Sequence, residues 1–375
     1  DEAAERLRTH VVRRATALTR VERWFSGHNA ASLRADLDNV RFAVDSSMWS
    51  EHAGDALELQ IGCCFLFRNT LSCVDGRRWM ARLESAEPDF EPLDRLWCEL
   101  VRADVAQGTA DHEMGARAAA HAVELAASAG DSAAEVIARQ SDALHYVVRD
   151  PEEALVRMQH AVELASSLED PRLERLLRAF VAVTQLSAGR IELGMEMAEQ
   201  VGHEATGDGY DVFISHWAAW TGCLIRGDAE RLRYWLDRQR GYLSDIGIPE
   251  PWMFLWSLAL NNAMEGEDPI AGLRQARVRA DGEGHDISAD VVLALVVIEQ
   301  LAGRRVEAAE LLGLAMASRL NNLSHYVLAR TLRAELGNAL GAETLEGALR
   351  RGAGQDPNEV LAALALSGDE PTART

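Results

Sequence analysis

A short turn recurs along this 375-residue chain at a nearly constant spacing, and that period limits the fold more than any other feature. Turns are expected at Gly76, Gly108, Asp150, Gly189, Gly227, Gly266, Gly303 and Gly341, with successive intervals of 32, 42, 39, 38, 39, 37 and 38 residues. Local wording repeats as well. His121-Ala-Val-Glu-Leu-Ala-Ala-Ser returns 39 residues later as His160-Ala-Val-Glu-Leu-Ala-Ser-Ser. A unit of about 38 residues holds two helices of roughly 16 residues, each about 24 Å long, and their turns. One such hairpin has no partner for its apolar face, and the next hairpin supplies it. The expected architecture is all-α, a right-handed α-solenoid of about eight to nine helix pairs.

The local signals agree. Asp150-Pro151, Asp170-Pro171, Asp268-Pro269 and Asp356-Pro357 each place an N-cap carboxylate before a proline at the first helical position. The carboxylate accepts from an otherwise unpaired N–H, and proline there has no N–H to waste. Leu173, Leu177, Phe180 and Thr184 recur at helical spacing and form one face. The run Val291–Ile298 fits a buried strand or a buried helix by pattern alone, and with no strand-like neighbour it reads as helix.

Composition removes several function classes. All 38 basic residues are arginine, so there is no lysine for a P-loop, a Schiff base or a Ser–Lys dyad. The net charge of −21 repels phosphate backbones and anionic lipid, which argues against direct nucleic-acid and membrane partners. The last helices, around Leu345 to Leu366, carry no basic recognition face. The five cysteines Cys63, Cys64, Cys73, Cys98 and Cys223 are odd in number and lack CxxC spacing, so they read as free thiols of a cytoplasmic protein rather than a disulfide framework or a zinc site. The chain begins without methionine in a segment that already reads as helix, and a piece of a longer protein is the expectation.

Helix, Gly-x turn, helix with alanines at the crossing resembles tetratricopeptide (TPR) repeats of a divergent, longer-period kind. The first 85 residues add a second resemblance. Leu37-Asp-Asn-Val-Arg-Phe-Ala43 and Asp75-Gly-Arg-Arg-Trp-Met-Ala-Arg-Leu83 are similar to the start of the helical-repeat region in bacterial STAND-class signal-transduction ATPases, including actinobacterial transcriptional regulators. Val40, Cys73-Val74 and Met80 depart from that pattern by changes conservative in size. The resemblance implies an effector domain and a P-loop ATPase upstream, with this region sensing a ligand or partner. It divides the chain into an N-terminal helical segment leading into the repeats (1–87), a TPR-like solenoid (88–366) and a disordered tail (367–375).

No G-x-S-x-G, H-E-x-x-H, G-x-G-x-x-G or kinase signature occurs, and no cofactor is expected. The carboxylate pairs Glu152-Glu153 and Asp36-Asp38 suit first helical turns. His121 and His160 occupy equivalent repeat positions, one hairpin apart, and read as structural. Aromatics are uneven: ten of 22 lie between Tyr210 and Trp256. Phe213, Trp217 and Trp220 share one helical face, and Trp252 and Trp256 share another. These faces fit inter-repeat packing, or else an aromatic patch on the concave surface that takes a peptide, protein or small-molecule effector. His216, Arg226 and Arg233 would then supply polar contacts. The functions expected are a non-catalytic sensor or interaction domain, a stand-alone adaptor, or an α/α enzyme with its site near 210–256.

Overall fold

The computed structural model describes residues 2–48, 52–69, 73–86, 90–109, 111–318, 320–321 and 323–363; the tail expected at 367–375 lies outside them. The described residues form 21 helices and no strand. Four helices open the chain: α1 (Glu2–Ala15), α2 (Arg20–Phe25), α3 (Gly27–Ala35) and α4 (Leu37–Met48). Hairpins follow: α5 (Ala53–Asn69) with α6 (Cys73–Ala86), α7 (Pro92–Gly108) with α8 (His112–Ala129), and α9 (Ser132–Tyr146) with α10 (Pro151–Ser166). Then come α11 (Pro171–Ser187) with α12 (Ile191–Glu204), α13 (Tyr210–Arg226) with α14 (Ala229–Ile246), and α15 (Trp252–Met264) with α16 (Ile270–Glu283). The last pairs are α17 (Ser288–Leu301) with α18 (Arg305–Ala317) and α19 (Leu323–Leu340) with α20 (Ala342–Gly352), before a short α21 (Pro357–Ala363). The expected helix for Val291–Ile298 is thus α17, and its first nine residues are buried on every side.

The period is written in the turns. Gly189, Gly227, Gly266, Gly303 and Gly341 all sit between paired helices with φ between 68° and 83°, where a side chain would be strained. Four of them close the helix in one way. The N–H after the glycine donates back five residues: Arg190 to Gln185 O, Asp228 to Cys223 O, Glu267 to Asn262 O and Arg304 to Glu299 O, at 2.8–3.0 Å. Gly76 departs from the expectation. It lies inside α6, which begins at Cys73. Each Asp-Pro carboxylate accepts from a backbone N–H, at Glu153, Arg172, Ile270 and Asn358; Pro151, Pro171 and Pro357 open their helices, whereas α16 starts one residue after Pro269.

The molecule divides into two units, one of Asp1–Ala219 with Arg238–Pro249, the other of Trp220–Asp237 with Glu250–Thr375. The helices of residues 1–87 share the first unit with the hairpins through α12 and parts of α13 and α14. In that unit α7 to α12 pack each on the next. In the second, α15 packs on α16 and α17, α17 on α18, and α18 on α20.

The two segments that carry the STAND resemblance are α4 and α6, and they lock together. Arg41 donates from Nε and Nη2 to Asp75 Oδ2 at 2.9 and 2.8 Å, while Arg82 and Arg78 of α6 return to Asp45 of α4 at 2.7 and 3.3 Å. The Asp75 side chain is only 9% exposed, so those donors stand in for the water it lacks. Arg41→Ala is expected to cost about 1–2 kcal/mol, as loss of a hydrogen bond to a buried charge does. Urea unfolding checks it; a change within a few tenths of a kcal/mol would mean the pair is idle.

Candidate functional site

The aromatic-rich stretch resolves into two clusters, one in each unit. In the first, Tyr210 stacks on Phe213 (centroids 5.5 Å, planes 10° apart) and on Phe25 (6.3 Å). Phe180 leans on Tyr210, and Tyr242 closes on Phe213 and, edge-on, on His216. In the second, Trp220 meets Phe254 edge to face at 5.8 Å. Trp256 lies 4.0 Å from the His325 ring and donates its indole N–H to Asp290 O at 2.8 Å, while Trp252 touches His285 and His325.

An exposed patch is not what these residues build. Phe213, His216, Trp220, Trp252 and Trp256 are all buried, none more than 3% exposed. The remaining two, Trp217 and Arg233, are half-buried and belong to different units. Arg233 is already engaged, donating to Asn262 Oδ1 at 2.8 Å and Glu265 Oε2 at 2.6 Å. The physical reason is that a helical stripe of large rings identifies a face but not what covers it. In stacked hairpins the neighbouring helix covers it.

His216 is a core histidine. Its Nδ1 sits 3.2 Å from Gln239 Oε1, and burial, with the nearby Arg238 charge, pushes its pKa down to about 3 against the pull of that hydrogen bond. His145, packed on Gly115, is pushed to about 4 by burial and by His112. Both are neutral in the folded state, with pKa values below the ordinary value of about 6.5. Between those values the unfolded chain binds more protons, so stability is full above about pH 6.5 and is lost as pH falls. The expected slope is about 1.4 kcal/mol per pH unit per histidine below pH 6. His145→Gln is expected to remove about half of it in thermal melts from pH 7 to pH 4.5, and an unchanged slope would count against the assignment.

Sequence reasoning missed a buried polar node in the second unit. Asp290, fully buried on α17, accepts from His325 Nδ1 (2.6 Å), Asn321 N (3.0 Å) and Asn321 Nδ2 (2.8 Å). Asp290 and His325 lie 35 residues apart on successive first helices, so the repeat length was the one available signal. It also missed Asp208, whose carboxylate takes Ser26 Oγ (2.9 Å) and the His28 N–H (3.2 Å).

Among the described residues, no group of three His, Cys, Asp or Glu is placed to hold a metal ion. His121 Nδ1 rests 2.8 Å from Glu99 Oε1, and His160 is exposed. Cys63, Cys64, Cys98 and Cys223 are buried thiols, and burial pushes that of Cys63 up to about 12. The Cys73 side chain lies outside the described set. No described helix is long and apolar enough to cross a membrane.

No family profile matches the chain, and no curated protein does. Among solved structures the chain is similar to a Rap protein in complex with Competence and Sporulation Factor, with a TM-score of 0.56 and 12% identity, over 94% of this chain and all of that one. At that identity the likeness speaks for the fold alone: the chain is an all-α helical-repeat protein of TPR-like architecture.

Proposed function

We propose that this chain is a non-catalytic binding domain that takes a protein or peptide partner, and that it is the sensor region of a larger cytoplasmic STAND-type regulator. The observation that carries the reading is the run of stacked hairpins, four of them closed by one turn geometry, an array that offers side-by-side helices to a partner. The Arg41–Asp75 lock supports the finer part, because it makes the two segments of the STAND resemblance one packed element. A similarly folded protein solved with a bound factor supports a partner-binding role. Partner binding then shifts the linked ATPase by its affinity difference between two states. A small-molecule effector would act through the same linkage, and no cofactor, nucleic acid or membrane contact enters.

An enzyme sited at 210–256 is disfavoured, because its two polar candidates, His216 and Arg233, are buried or already engaged. The test of the regulator reading is ATP hydrolysis by the intact polypeptide. Removing the repeat region is expected to raise or unlock the basal rate. An unchanged rate, or a gene with no P-loop upstream of Asp1, overturns that reading and leaves the stand-alone adaptor.

A further inference from the structure

In the second unit, the C-terminal ends of α13 and α15 enclose polar groups that lack hydrogen bonds. Asn261, on α15, is fully buried, and neither its side-chain oxygen nor its amide nitrogen has a hydrogen-bond partner among the described residues. Thr221, on α13, is 4% exposed, and its hydroxyl is likewise unbonded. A helical threonine commonly returns its hydroxyl to the carbonyl four residues back. Thr184 on α11 does so at 2.8 Å, and Thr331 on α19 at 3.2 Å. Thr221 forgoes that bond in a buried position. Side-chain groups so deeply buried are mostly paired, because an unpaired one has lost its water with nothing in return.

The contact that holds this end of α15 in place lies beside Asn261. Arg233 of α14 donates from Nη2 to Asn262 Oδ1 at 2.8 Å and to Glu265 Oε2 at 2.6 Å. The Arg233 and Glu265 side chains are 31% and 34% exposed, so water screens the pair and the latch is a weak one. The Glu265 carboxyl sits below its usual range, chiefly through Arg233; the Asn261 amide adds to the pull without closing a hydrogen bond.

These two features oppose each other. When the end of α15 lifts, the Asn261 amide and the Thr221 hydroxyl regain hydrogen bonds to water, so enclosing them raises the closed state and eases opening. The Arg233 bonds are lost on lifting and resist it. A closed form favoured by a small margin is what local opening requires. We propose that the C-terminal turn of α15, residues 260–265, is a local two-state element of the second unit, pushed open by the unpaired Asn261 and Thr221 side chains and held shut by the Arg233 latch. The proposal adds to the binding-domain reading a place where two states can differ. It is tested on the protein alone, so its failure leaves that reading standing.

Hydrogen exchange of the amides of residues 258–264 reads the opening, with those of residues 291–296 in α17 as the reference. Arg233→Ala is expected to speed exchange in α15 at least tenfold. Thr221→Val keeps the shape, removes the hydroxyl and lies on another helix, yet is expected to slow exchange in α15 at least threefold. Asn261→Leu is expected to slow it at least tenfold, and Arg233→Ala added to that variant is expected to bring the rate back toward that of the unmodified chain. Unchanged or faster exchange in Thr221→Val overturns the proposal, as does an Arg233→Ala protein that exchanges like its parent. A change of equal size in α17 would report global unfolding in place of a local element and overturns it too. Should Asn261→Leu overfill its site and fail to fold, Thr221→Val and Arg233→Ala decide.

Discussion

Gly352→Ala is expected to destabilise the second unit by about 3 kcal/mol or more, among the largest single-methyl effects in the molecule. The methyl has nowhere to go. A Cβ built there falls 1.7 Å from Glu310 O, and one on Gly313 falls 2.1 Å from Leu349 O. Each glycine of the α18–α20 crossing thus meets the other helix's backbone, which cannot swing aside as a side-chain tip can. The two helices must separate or slide along their whole contact. Gly54 and Gly282, which have open space, serve as controls, and alanine there is expected to be neutral or slightly stabilising. Repeat arrays need not melt as one, so thermal melts read by near-UV signal from Trp252 and Trp256 should show the loss in the second unit. A Gly352→Ala protein that melts within a degree or two of the parent would contradict the close crossing.

That crossing was not legible in the sequence, and the reason is general to this fold. The period, the turn glycines and the Asp-Pro caps are local devices, each satisfied within five residues of its signal, and they appear where expected. Gly76 failed because a glycine inside a helix is one more helical residue, here beside Asp75 in α6. The aromatic stripe left two readings open, inter-repeat packing and a surface patch, and the burial of Phe213, Trp220, Trp252 and Trp256 agrees with packing. Phe213, Trp217 and Trp220 do share a face, but whether a face meets solvent or the next helix depends on residues at least one repeat away. The closure of residues 25–28 on 208–210 spans the longest separation, and no local pattern in either segment announces it.

The buried Asp290 node carries the second large effect. Asp290→Ala is expected to cost about 3–5 kcal/mol, because it strands the buried donor of His325 and removes the acceptor of two Asn321 N–H groups. His325→Ala is expected to cost less, since two amide donors remain on the carboxylate. The double variant should then show a coupling of roughly 2 kcal/mol between the two positions, within the range of directly bonded buried pairs. A coupling near zero in a urea-unfolding cycle would mean that the 2.6 Å contact contributes nothing. The node is not there because ions stabilise interiors: a shape-matched apolar pair in place of Asp290 and His325 could hold the unit as well. What an apolar pair lacks is direction. Asp290 fixes the entry of α19 through Asn321, the ring of His325 sits against Trp256, and Trp256 in turn bonds the Asp290 carbonyl. Three successive first helices are thereby set in one register. Asp290→Leu combined with His325→Phe is therefore expected to recover most of the stability while broadening the near-UV and NMR signals of Trp252 and Trp256; sharp parental signals in that variant would show that packing alone sets the register.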